Sequence, residues 1–203
     1  MGRWLQSIRH YKRQFWLAAA LLTTAAFIGY FSYEWLITTY EDQFKQLIQP
    51  VEEAANKIKE EPTFMKAFTT IFMNNLLASA FIIGSGILFG IIPLVSMVSN
   101  GLILGIVLKT GALAGYHPVD VFITSILPHG IFELTAVFLA AALGMHLGWL
   151  IIQTIAILWR KQGQRVKLAY LQYFADLPRV FIVIIALLFV AAMIESSLFI
   201  NAI

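Results

Sequence analysis

Residues 127–148 read LPHGIFELTAVFLAAALGMHLG, an apolar run that carries His129 and Glu133 near its start and His146 near its end. Taken as a helix opening after Pro128, the run sets His129 and Glu133 four residues apart, so both side chains share one face. Ala136, Ala140, Gly144 and Gly148 continue that face. A row of small residues lets a neighbouring backbone come close, which is how helices associate in lipid. The reading therefore has the His–Glu pair turned toward protein, with the rest of the chain arranged to bury it.

The composition says what surrounds this run. The chain of 203 residues is 60% apolar, has a mean hydropathy of +0.80 and is only 12% charged, well above the roughly 45–50% apolar content of soluble domains. It reads as a polytopic, all-α membrane protein, with room for a few spans and one modest aqueous segment. There is no Cys, which excludes disulfide and thiolate chemistry. Fourteen Lys and Arg against eleven Asp and Glu leave +3, and nothing supports nucleic-acid binding.

Outward from the run, Arg3, Arg9, Lys12 and Arg13 precede an apolar stretch from Phe15 to Tyr33 without any acid. That stretch is too long for a signal-peptide core and lacks a small-residue cleavage site, so it reads as an uncleaved first span (about 15–33) with the amino terminus in the cytoplasm. Glu34 to Lys66 then holds seven acids and four lysines. Phe44, Leu47, Ile48, Val51, Ala55 and Ile58 recur at helical spacing, which predicts an outer amphipathic helix over about 34–62, bent near Pro50. It either packs on the bundle or docks a partner.

Residues 67–108 are apolar with a break expected at Pro93, giving spans of about 67–91 and 94–110. Four small-residue pairs, Gly86/Gly90, Gly101/Gly105, Gly111/Gly115 and Gly144/Gly148, predict close backbone packing. Val121 to Trp159 is apolar for 39 residues, about 58 Å as a helix. Two spans there would put Arg160, Lys161, Arg165 and Lys167 outside, against the positive-inside tendency. The remaining readings are one span (about 128–158) after a short re-entrant segment, Val121 to Leu127, or one long tilted helix. Gly163 to Asp176 reads as an interfacial helix. The last span follows over about 178–200, with Glu195 near its outer end expected to snorkel to water. The count is five spans in a single domain, residues 1–203, in the plasma membrane, with the carboxyl terminus outside.

Asn74-Asn75 ahead of a Gly-rich span, Asn100-Gly101 with Gly105 in the next, and Pro128-His129-Gly130 followed by Glu133 together resemble the stage II sporulation protein M family, over roughly residues 65–160. The resemblance implies a five-span helical fold. In spore-formers the family's namesake anchors a peptidoglycan-degrading machine in the membrane during engulfment, and other members occur in organisms that do not sporulate. What the resemblance implies here is a membrane scaffold for cell-envelope or peptidoglycan-remodelling partners, docked through residues 34–62, with a homo-oligomer as a further option.

Ionisable and amide groups inside a membrane are costly, so Asn74, Asn75, Asn100, His129 and Glu133 are expected to converge in one intramembrane polar cluster. Such a cluster serves structure alone or supports function. His129 and Glu133 offer one nitrogen and one oxygen to a divalent metal, which is half of a hydrolase site, because His117 and His146 are poorly placed to complete it. A mid-membrane carboxylate also suits an ion- or proton-coupled transporter. No nucleophile–base–orienter set is visible, so no catalytic residue is assigned and the reading leans away from an enzyme. Ser85 reads as a packing residue and His146 as a packed or interfacial histidine. Trp4, Trp16, Trp35, Trp149 and Trp159 read as anchors at the lipid boundary.

Overall fold

The computed structural model describes residues 2–158 and 163–201; the side chains of 3, 44, 47, 50, 51, 55, 157, 158, 163–165 and 201 lie outside the described set. Four of the expected apolar stripe positions (Phe44, Leu47, Val51, Ala55), the basic side chains of Arg160, Lys161 and Arg165, and the anchor Trp159 therefore fall outside it. The described chain is helical throughout its elements: α1 (Gly2–His10), α2 (Lys12–Phe31), α3 (Tyr33–Thr39), α4 (Glu41–Glu60), α5 (Phe64–Ser85), α6 (Ile91–Leu113), α7 (Pro118–Val121), a π-helical turn (Phe122–Ile126), α8 (Leu127–Leu158) and α9 (Gly163–Asn201). Five stretches are long and apolar enough to cross a membrane: Lys12–Phe31, Phe64–Ser85, Ile91–Leu113, Pro118–Ala156 and Val166–Ile200. The fold is an all-α polytopic bundle.

The fourth stretch is its axis. Over its 18-residue apolar window 56% of residues are buried, against 22–28% in the corresponding windows of the others, because Ala136, Leu139 to Leu143 and Met145 are enclosed by neighbours on several sides. Val180, Ile184 and Leu188 of α9 and Ile82 and Ile83 of α5 join the same core. Short side chains make this enclosure possible, since an alanine- and glycine-rich helix is thin enough to be surrounded.

Glycine decides how near the partners come. A Cβ on Gly101 or Gly105 of α6 would collide with the backbone carbonyls of Leu22 or Ala26 in α2, and one on Gly29 of α2 would press on Leu102. A Cβ on Gly86 would strike the backbone of Gly144, and one on Gly148 that of Phe89 and Gly90. Three of the four glycine pairs thus mark backbone-to-backbone seams. Gly111 and Gly115 do not: a Cβ at Gly111 would touch only the Val121 side chain at 3.4 Å, and Gly115 meets nothing within 4 Å. Gly115 serves a turn instead, with φ of +93°.

Several boundaries differ from the sequence expectation. The turn between the second and third spans lies at residues 86–90, where Gly90 takes a left-handed φ of +73° that glycine adopts without a Cβ penalty. Pro93 sits in the first turn of α6, where its missing N–H would have had no helical partner anyway. Of the two readings of the fourth span, the continuous helix is the one observed and the re-entrant break is not: the backbone stays helical from Pro118 to Leu158. In a regular helix the Pro128 ring would clash with the carbonyl of Thr124 four residues back. The chain instead widens to a π turn, with the Leu127 N–H donating to the Phe122 carbonyl, and continues. The expected interfacial helix and last span are one 39-residue helix, α9, which carries Pro178 inside it. The outer segment, expected as one helix, is two, parted at Tyr40 (φ −124°, ψ 39°), and α4 is helical through Pro50.

The seams make a clean prediction. Gly105→Ala forces α6 away from α2 and costs about 1–3 kcal/mol, the usual range for overpacking. Gly84→Ala meets nothing within 4 Å and leaves stability unchanged or raises it by up to about 1 kcal/mol. Thermal denaturation of the two variants in one detergent checks this, and equal midpoints would mean that α2 and α6 are not in backbone contact.

Candidate functional site

Three helices, α5, α8 and α9, meet where two acids, Glu133 and Glu195, face each other. The widened turn before Pro128 delivers His129 and Glu133 on successive turns of α8, about 16 and 22 Å along the helical stretch that begins at Pro118. Asn75 of α5 reaches across and donates from Nδ2 to Oε1 of Glu133 at 3.1 Å. From α9, Glu195 joins them: a ring nitrogen of His129 and carboxylate oxygens of Glu133 and Glu195 all lie within 4.8 Å of one another, and all three residues are half-buried. Small residues permit this approach. Ala136 and Ala140 on α8 and Ala191, Ala192 and Ser196 on α9 are fully enclosed, and Ser196 satisfies its hydroxyl on the Ala192 carbonyl at 2.6 Å.

The centre is short of positive charge. Among the described residues the ion pairs are Lys45–Glu41, Lys66–Glu61 and Arg179–Asp176, and none involves Glu133 or Glu195. Nδ1 of His129 is buried without a hydrogen-bond partner. Two carboxylates so placed in a low-dielectric interior must be neutralised, by protons, by hydrogen bonds or by a cation. Chemically, the group offers one imidazole and two carboxylates, a donor set that divalent ions accept.

The other expected members lie elsewhere. Asn74, one residue and about 100° round the helix from Asn75, is exposed on α5. Asn100 does not join the cluster. It is exposed, and its amide donates to the Ser96 carbonyl of its own helix at 2.8 Å, because the packing face of α6 is the one carrying Met97, Gly101 and Gly105. Glu195 is the member the sequence reading missed. Proximity to a helix end suggested a snorkelling carboxylate, whereas the small-residue row at Ala191, Ala192 and Ser196 was the signal of an inward face.

A second polar cluster occupies the α1 end and was not foreseen. Asp176, buried within α9, accepts from Ser7 at 2.5 Å and from Arg179 at 3.2 Å. Beside it, His146 lies 3.2 Å from Gln14 and stacks on Tyr173. His117 is exposed in the turn before α7. Ser85 is buried and donates to the Ile82 carbonyl at 3.1 Å, the arrangement of a helix-packing serine. Trp4, Trp16, Trp35 and Trp149 are all on the surface.

Comparison with known proteins follows the same outline. An uncharacterized protein of Methanocaldococcus jannaschii, MJ0793, is 26% identical over 134 residues, covering 66% of this chain and 71% of that protein. No solved structure matches the chain. The sequence model described as stage II sporulation protein M matches residues 18–198, which reaches into all five membrane-length helices and includes Asn75, His129, Glu133 and Glu195. The chain belongs to the stage II sporulation protein M family.

Proposed function

We propose that the chain is a scaffold of the cell-envelope membrane, without catalysis of its own, and that α4 is the element on which its partners dock. The observation that carries this reading is how α4 is held. Among its described side chains the buried one is Ile58, 3% exposed, packed with Ala67 and Ile71 of α5 and Ala192 of α9. Nearer its start a cleft of about 380 Å³ lies between Ile37, Ile48 and Glu52 and the α6 residues Ile103, Ile106 and Val107.

Its charged residues are all exposed: Glu41, Asp42, Glu53 and Glu60 against Lys45, Lys57 and Lys59, with Glu52 at the edge of the cleft. A hydrogen bond and charge attraction from Lys45 hold the Glu41 carboxyl below its usual range, but this pair is fully solvated and tethers α4 to nothing. An amphipathic helix clamped at one end, with an apolar cleft behind it and an acidic face in front, suits recognition of a partner helix or a basic surface.

Alternation of five spans places α4 and the α1 end on opposite sides. The basic residues at the α1 end then put α4 outside the plasma membrane, where peptidoglycan-remodelling partners of the kind served by the family's namesake would meet it. The alternative of a metal-assisted hydrolase gains one support, a third ligand in Glu195, and a proton- or ion-coupled transporter would use the same carboxylates.

Photo-cross-linkers at positions 53 and 57 in α4, and at 77 on the exposed flank of α5, test the scaffold reading in native membranes. The two α4 positions trap an envelope protein, position 77 does not, and Glu52→Lys with Glu53→Lys reduces the adduct at least fivefold. Recovery of the chain alone from every position would refute it.

A further inference from the structure

We propose that His129, Glu133 and Glu195 form a binding site for a single divalent transition-metal ion of the zinc class, which clamps α8 to α9 inside the membrane.

The geometry carries this proposal first. Around a divalent ion with bonds of about 2.0–2.2 Å, neighbouring ligand atoms sit roughly 3–4 Å apart. The three ligand atoms lie within 4.8 Å of one another, so modest side-chain rotation closes them onto an ion. His129 and Glu133 are preset by one turn of the same helix, and Glu195 arrives from a different one. Loading the site therefore bridges two helices rather than decorating one.

The charges balance as well. Two carboxylates that lack a basic partner among the described residues are neutralised by one dication, and the neutral imidazole adds a donor without adding charge. His129 keeps Nδ1 buried and unpaired, so no hydrogen bond at that nitrogen ties the ring to another partner, and a ring nitrogen is free to serve as a ligand. Asn75 occupies Oε1 of Glu133 from α5; this is the outer-shell contact that metal-ligating carboxylates have, and it leaves the other oxygen for the ion.

The donor set also selects the class. Calcium and magnesium take oxygen ligands, commonly six or more, whereas one imidazole with two carboxylates matches the three protein ligands of an open zinc site. The proposal does not rest on the scaffold reading, and either can fail without the other.

The test uses the whole chain in detergent, stripped with a chelator and titrated with zinc chloride. Equilibrium dialysis with elemental analysis should find one zinc per chain, and thermal denaturation should show a midpoint that rises with zinc. His129→Gln and Glu195→Gln should each weaken binding more than tenfold, Asn75→Ala about tenfold, and the exposed Glu53→Gln not at all. Should a variant fail to fold, the wild type still decides: cobalt in place of zinc gives visible absorption of a low-coordinate N/O site if the ion is held as proposed. A wild-type chain that binds no zinc and no cobalt above a buffer control overturns the proposal. So does binding unaffected in folded His129→Gln and Glu195→Gln, and so does a pair of carboxylates that prove to share only a proton.

Discussion

In lipid the space between two helices is not dry by contrast with water, so helices gain nothing by hiding apolar side chains from their surroundings. What holds this bundle is contact between backbones. Leu22 and Ala26 present their carbonyls to Gly101 and Gly105, and Gly144 and Gly148 receive the turn that begins at Gly86 and ends at Gly90. Each seam exists only because a Cβ is missing. Where the seams run, carbonyl and amide dipoles and Cα atoms come into van der Waals range, and dispersion that is minor per atom accumulates along the helix.

The seams also explain why α8 is the axis. A helix surrounded by α2, α5, α6 and α9 must be thin, and Ala136, Ala140 to Ala142 and Gly144 make it so. Because it is surrounded, anything polar on its flank is forced onto another helix. Glu133 therefore meets Asn75 on one side and Glu195 on the other. The polar centre is thus a product of the packing that encloses it. The outer pair α3 and α4 lies apart from these seams, clamped at Ile58, and is free to differ in chemistry from the bundle that carries it.

Much of this was legible from residues alone, for definite reasons. Five apolar stretches of spanning length follow from counting. His129 and Glu133 share a face because four residues make nearly one turn, and the glycine pairs at 86/90, 101/105 and 144/148 mark seams because nothing else justifies so much glycine in a helix. The rest depended on which face points where. Asn75 and Asn100 look alike in sequence, each beside small residues, but only Asn75 lies on a face opposed by an acid, while Asn100 turns back on its own carbonyl. Glu195 sits near a helix end, and linear position cannot tell a carboxylate that reaches out from one that reaches in. Pro93 was read as a break and Pro128 as a break in one of two readings, yet a first-turn position and a widened π turn absorb them. Pro178 lies within α9, so the helix that seemed to be two is one.

The absence of cysteine makes one measurement especially direct. With Glu133→Cys and Glu195→Cys combined in the otherwise cysteine-free chain, oxidation in native membranes should join the two positions, by a disulfide or through a short bis-maleimide. Asn100→Cys paired with Glu133→Cys should remain unlinked. Efficient linkage of 133 to 195 with none of 133 to 100 is the result this account predicts. Equal labelling of both cysteines by a lipid-soluble maleimide, with no linkage between them, would show that α8 and α9 do not face each other through these residues and would contradict it.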